Sequence, residues 1–179
     1  ASSVTLTNII LTDDGEHDGT YFAQTNNKTI SESNLDFVQD GMITAHGKSN
    51  RAVNIILGYG AVLKDYGGMS AVYGTMNAHI TMKAGSCIRD DIVIDRVKSS
   101  IPHKDENGPA GAIWLQGADF VMEDGAEIRD MVGRVVYADG GTVTIGGTIC
   151  NIKSDKDMWQ GNGGFVVHLR QGAEGTLTG

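Results

Sequence analysis

At the end of three repeated units a cation stands directly before a carboxylate: Lys64-Asp65, Arg89-Asp90 and Arg129-Asp130, with Asp91 extending the second pair. An arginine held near carboxylates can act as base or charge stabiliser on a uronate, so the row is a candidate for polysaccharide cleavage. The same residue types recur at each step, whereas an active site is normally unique. The row therefore reads first as outward surface ion pairs, which stabilise little. Other catalytic patterns fail sooner. Gly47-Lys48-Ser49 resembles part of a phosphate loop, but the glycine required five residues earlier is Met42. The histidines at 17, 46, 79, 103 and 168 lie in separate segments without metal-ligand spacing. No GxSxG elbow and no calcium-binding GGxGxD nonapeptide occurs. No cofactor is expected, with calcium as the one candidate ion.

The elements that carry these residues repeat. Alternating strands lead into glycine turns at Gly60, Gly85, Gly125 and Gly147, and each turn is followed by a short strand ending in Asp65, Asp90, Asp130 or Asn151. A further strand recurs between these units: Ala71-Val72-Tyr73-Gly74, Ala112-Ile113-Trp114-Leu115, Val135-Val136-Tyr137-Ala138 and Val166-Val167-His168-Leu169. Three short strands per coil follow from this. Because successive side chains in a strand face opposite ways, the coils align into columns. Val72, Ile113, Val136 and Val167 form one inward ladder, and Leu63, Ile88, Ile128 and Ile149 another. Short Asx side chains at the corner can bond turn backbone or one another, so Asp65, Asp90, Asp130 and Asn151 read as a structural ladder.

The outward neighbours of the inner valine column are Tyr73, Trp114, Tyr137 and His168. In this register they form an exposed aromatic stripe, suited to a sugar face or a protein hot spot. Insertions at 91–111 and 152–164 enter just before this strand and are expected to flank the stripe. Their residues His103, Lys104, Asp105, Glu106, Asp157 and Trp159 would wall a groove, since binding groups concentrate on loops held by a rigid scaffold.

Composition narrows the partners. With 25 glycines, 2 prolines and 20% charged residues in 179, the chain is neither collagen-like nor a disordered tail. Its net charge of −8 carries no basic cluster, which argues against nucleic acid. No apolar run approaches the roughly 20 residues of a membrane helix. Cys87 and Cys150 fall two coils apart, about 9.6 Å along the axis at the strand spacing. That exceeds disulfide reach and predicts free thiols.

The SAVYG, GAIWLQGADFVMEDGAEIRD and DGGTVTIGGTICN segments resemble the right-handed parallel β-helix, the pectate-lyase-like fold. They resemble more closely the glycine-rich β-helix repeats of large Gram-positive surface proteins. The resemblance covers 55–178. Residues 1–54 read as atypical first coils or a cap, in which Val4-Thr5-Leu6-Thr7 and Met42-Ile43-Thr44-Ala45 are candidate strands. Residues 55–179 form the β-helix of a single all-β domain whose last coil is incomplete. An open solenoid end exposes strand edges, so continuation of the stack by another chain or domain is expected. The resemblance implies an extracellular bacterial adhesin module without catalysis, binding a glycan or a host or neighbouring-cell protein. The alternatives are a lyase or glycoside hydrolase of the same fold, and a structural spacer.

Overall fold

The computed structural model describes residues 1–12, 41–68, 70–90, 92–93, 111–153 and 166–178. No described residue is helical. The first coil comprises β1 (Ser2–Leu6), β2 (Ile10–Thr12) and β3 (Gly41–Ala45), and the second β4 (Val53–Leu57), β5 (Val62–Lys64), β6 (Gly67–Gly68) and β7 (Ser70–Thr75). The third comprises β8 (Ala78–Met82), β9 (Cys87–Arg89), β10 (Ile92–Val93) and β11 (Ile113–Gln116). Then come β12 (Asp119–Met122), β13 (Glu127–Val132) and β14 (Val136–Asp139), followed by β15 (Thr142–Ile145), β16 (Thr148–Lys153) and β17 (Val167–Arg170), with β18 (Glu174–Leu177) beginning one more turn. Each strand pairs in parallel with its counterpart one coil away, giving sheet A (β1-β4-β8-β12-β15-β18) and sheet C (β3-β7-β11-β14-β17). Sheet B joins β2-β5-β9-β13, with β16 also on β13 and the short β6 and β10 beyond the corner. The architecture is the right-handed parallel β-helix with three strands per coil.

The inward ladders are as the alternation predicts. Val72, Ile113, Val136 and Val167 are register partners on sheet C, and Leu63, Ile88, Ile128 and Ile149 on sheet B. Sheet A adds Ile55, Ile80, Phe120 and Val143 in one column and Leu57, Met82, Met122 and Ile145 in the next. All of these belong to one continuous interior core or pack against it. Full burial of each such side chain contributes roughly 1.5–3 kcal/mol, which lets a chain poor in aromatics hold a stable interior. The first coil follows the same register: Val4 lies on Ile55 and Ile43 on Val72. β1 and β3 fall on the two candidate strands of the sequence, β2 (Ile10–Thr12) lies outside both, and the long stretch 13–40 separates β2 from β3.

The corners explain the Asx column. Asp65, Asp90, Asp130 and Asn151 have φ of 56°, 57°, 55° and 55°. In this left-handed region Asp and Asn are the side-chain-bearing residues best tolerated, because their short polar groups can bond nearby backbone or each other. Asn151 donates from Nδ2 to Asp130 Oδ1 at 3.0 Å, linking adjacent coils. At the corner between sheets C and A, Gly141 combines a φ of +79° with a coil-to-coil approach so close that a Cβ would lie 2.0 Å from the Ala118 carbonyl oxygen. Only glycine fits there.

Both cysteines are free thiols. They do not share a column: Cys87 aligns with Glu127 and Thr148, whereas Cys150 aligns with Arg129. Two coils and two residues along the strand therefore separate them. Burial pushes the Cys87 thiol above its ordinary range, against the pull of the Arg129 guanidinium.

Candidate functional site

Sheet C stacks Thr44, Tyr73, Trp114, Tyr137 and His168 on successive coils, all turned away from the interior. The column is as read from the sequence, but its exposure is not. Tyr73 and Trp114 are 0% exposed and Tyr137 1%, and together they form a second hydrophobic cluster separate from the interior core. His168 is partly buried. The physical reason lies in ring size against coil spacing. Rings on adjacent coils shield one another, with the Tyr73 and Trp114 centroids 4.5 Å apart. The remaining edges are also covered: His46 meets Tyr73 edge-on at 5.9 Å, His168 meets Tyr137 edge-on at 5.2 Å, and the Arg134 guanidinium lies 5.6 Å from the Tyr137 centroid. Sheet C is thus packed on both faces over these coils, and the rings do not form an open stacking platform.

Recognition chemistry sits one column further along. Two residues after each ring, the strands again point outward and place Thr75, Gln116, Asp139 and Arg170 in register. This polar column is tied to the rings. Tyr73 Oη donates to Gln116 Oε1 at 2.5 Å, and Arg170 Nη1 donates to Tyr137 Oη at 3.0 Å. Arg170 Nε lies 3.9 Å from Asp139 Oδ1, with the two side chains 40% and 18% exposed. Trp114 Nε1–H is buried and has no hydrogen-bond partner among the described residues. Leaving such a donor unsatisfied costs about 1–3 kcal/mol.

The electrostatics follow from this packing. Burial raises the Tyr137 phenol above its ordinary range, with Asp139 adding to the rise, while the hydrogen bond from Arg170 opposes it. Burial likewise lowers His168, and Arg134 and Arg170 lower it further against the opposing Asp139 carboxylate. Arg134 itself is buried, at 8% exposure. Alternation by two made Gln116, Asp139 and Arg170 accessible to sequence reasoning, because they are the next outward positions after the rings. Arg134 gave no such signal, since it precedes its strand.

The sheet B row is made of ion pairs between neighbouring residues. Lys64 Nζ pairs with Asp65 Oδ2 at 2.7 Å, and Arg89 and Arg129 pair with Asp90 and Asp130. The hydrogen bond from Lys64 holds Asp65 below the usual carboxylate range, and those from Asn151 and then Arg129 do the same for Asp130. A general acid needs the opposite shift. Among the described residues no three His, Cys, Asp or Glu side chains converge on a point that could hold a metal ion. His103, Asp105 and Trp159, expected to wall a groove, lie outside the described residues, as do Lys104, Glu106 and Asp157. No family model matches this chain, and neither a curated protein nor a solved structure does.

Proposed function

We propose that this chain is a non-catalytic, extracellular module of a bacterial surface protein that binds glycan through the outer face of sheet C. The observation that carries the reading is the in-register polar column Thr75, Gln116, Asp139 and Arg170 beside the aromatic column. A planar amide, a carboxylate and a guanidinium on a rigid sheet match the vicinal hydroxyls of a sugar, which donate and accept in pairs. Rings locked by packing beneath such groups hold them in place before binding, which reduces the ordering entropy of recognition. The resemblance of the repeats to those of Gram-positive surface proteins supports the bacterial and extracellular parts of the reading. A glycan array, followed by calorimetry on any hit, tests it with Gln116→Ala and Arg170→Ala. Each variant is expected to weaken binding by about tenfold or more, and, because each also removes a partner of a buried tyrosine hydroxyl, to lower stability by roughly 1–3 kcal/mol, so binding is measured well below the melting temperature of each variant. Binding that survives both substitutions would overturn this placement of the site.

One observation favours the spacer reading. The largest rings outside the interior core are 0–1% exposed, so they contribute to stiffness before they contribute to any contact. An array without hits, together with no uronate turnover in the presence or absence of calcium, would select the spacer.

A further inference from the structure

We propose that the outer face of sheet A is a self-association surface, on which a second copy of this chain docks face to face about a two-fold axis that runs parallel to the strands between β8 and β12. The glycan reading concerns sheet C, so neither depends on the other.

The face combines a β-branched seam with charges sorted by coil. Between the two inward columns of sheet A, the strands present Thr5, Ile56, Thr81, Val121, Thr144 and Thr176 outward in one register column. Val121 is 37% exposed on it. An ion pair lies on either side of this seam: His79 Nδ1 is 3.0 Å from Asp119 Oδ2, and Lys83 Nζ is 2.9 Å from Glu123 Oε1. Both basic groups belong to one coil, His79 in β8 and Lys83 directly after it, and both carboxylates to the next, Asp119 in β12 and Glu123 directly after it. All four side chains are 38–48% exposed.

A two-fold interface sets residue i on residue j of the second copy and j on i. Rotation about the proposed axis keeps the strand direction, turns the sheet over and exchanges the two coils. His79 then lies over the second copy's Asp119 and Lys83 over its Glu123, and each contact occurs twice. The seams coincide, with Thr81 over the second copy's Val121 and Ile56 over its Thr144. A carboxylate has about four acceptor positions and an ammonium about three donors, so the pairs within each copy leave capacity for those between copies. A two-fold along the solenoid axis gives the opposite result. It sets each coil on itself with strands reversed, so Lys83 meets His79 and Glu123 meets Asp119. The charge pattern therefore selects the first arrangement and rejects the second. Sheet B offers no such selection, because its cations Lys64, Arg89 and Arg129 repeat at one position of successive coils.

The contact is small. At about 4.8 Å between strands and about 3.3 Å per residue, the six strands present roughly 400–500 Å² per copy. Twice that area lies below the roughly 1,200 Å² of stable complexes, so the pairing is transient and its charges decide its strength.

Sedimentation equilibrium of the whole 179-residue chain tests this, at about 50 mM salt and from about 10 μM to about 1 mM protein. The weight-average mass is expected to rise from 19.0 kDa toward twice that value with concentration. Lys83→Glu and Glu123→Lys each set like charges against one another across the interface, and each is expected to weaken association by about tenfold or more. An equimolar mixture of the two variants is expected to recover it, because every introduced charge then faces its opposite on the other copy. Both substitutions fall on exposed side chains outside the interior core, and a loss of folding would not be repaired by mixing. A parent chain that stays monomeric, a single variant that associates as the parent does, or a mixture that associates no better than its components would overturn the proposal.

Discussion

Asp90 shows how much a single corner residue carries. Its φ of 57° is tolerable for Asp, and its carboxylate pairs with Arg89. Alanine offers neither local hydrogen bonding nor relief from the left-handed clash, so Asp90→Ala is expected to lower stability by roughly 1–2 kcal/mol in urea unfolding. Asp90→Gly removes the clash and should cost less, and a larger loss for Gly than for Ala would refute the backbone argument. The sequence made this column legible as a ladder, since Asp or Asn recurs at one place in every coil. Positive φ was not legible, because a side-chain pattern records which residue returns and not the dihedral it adopts. Cys87 supplies a second test at this scale. Burial holds its thiol above the ordinary 9.0, so its alkylation at neutral pH should be slower than that of a free thiol peptide and should rise steeply only at alkaline pH.

At the level of the element, β11 is instructive. Ile113 and Leu115 face the interior, Trp114 faces the second cluster, and all three are 0% exposed. Trp114→Ala is therefore expected to destabilise the chain by about 3–5 kcal/mol rather than selectively abolish recognition, with loss of the near-ultraviolet dichroism of the stacked rings. A variant that melts with the parent would show that the column is not a core. Alternation identifies the two faces of a strand and glycine spacing its register, which is why the inward ladders of sheets B and C could be read in advance. What lies against an outward face depends on contacts remote in sequence, so the burial of Tyr73, Trp114 and Tyr137 could not be read. The polar column of Gln116, Asp139 and Arg170 was readable by the same rule of two, but the rings drew the inference away from it.

For the molecule as a whole, acid should act in two stages. His168 has a lowered pKa in the folded state, so the unfolded chain takes the proton more readily. Its stability contribution is complete above 6.5 and declines as pH falls below that value. Asp65 and Asp130 are lowered as well, and their contribution is present above 3.8 and lost as pH falls through their folded values. Melting temperatures are expected to fall first in the weakly acidic range and again near and below 3.8, and His168→Gln should remove only the first fall. The long stretches 13–40, 94–110 and 154–165 share one topological address. Each lies after a sheet B strand and before a sheet C strand, while the corners between A and B stay within four residues and those between C and A within three, apart from residues 46–52 in the first coil. One seam of the solenoid therefore absorbs sequence of any length without disturbing the register on either side. For an engineer this is a natural display scaffold: foreign peptides grafted along that seam would emerge at successive coils, spaced by the strand separation of about 4.8 Å or its multiples.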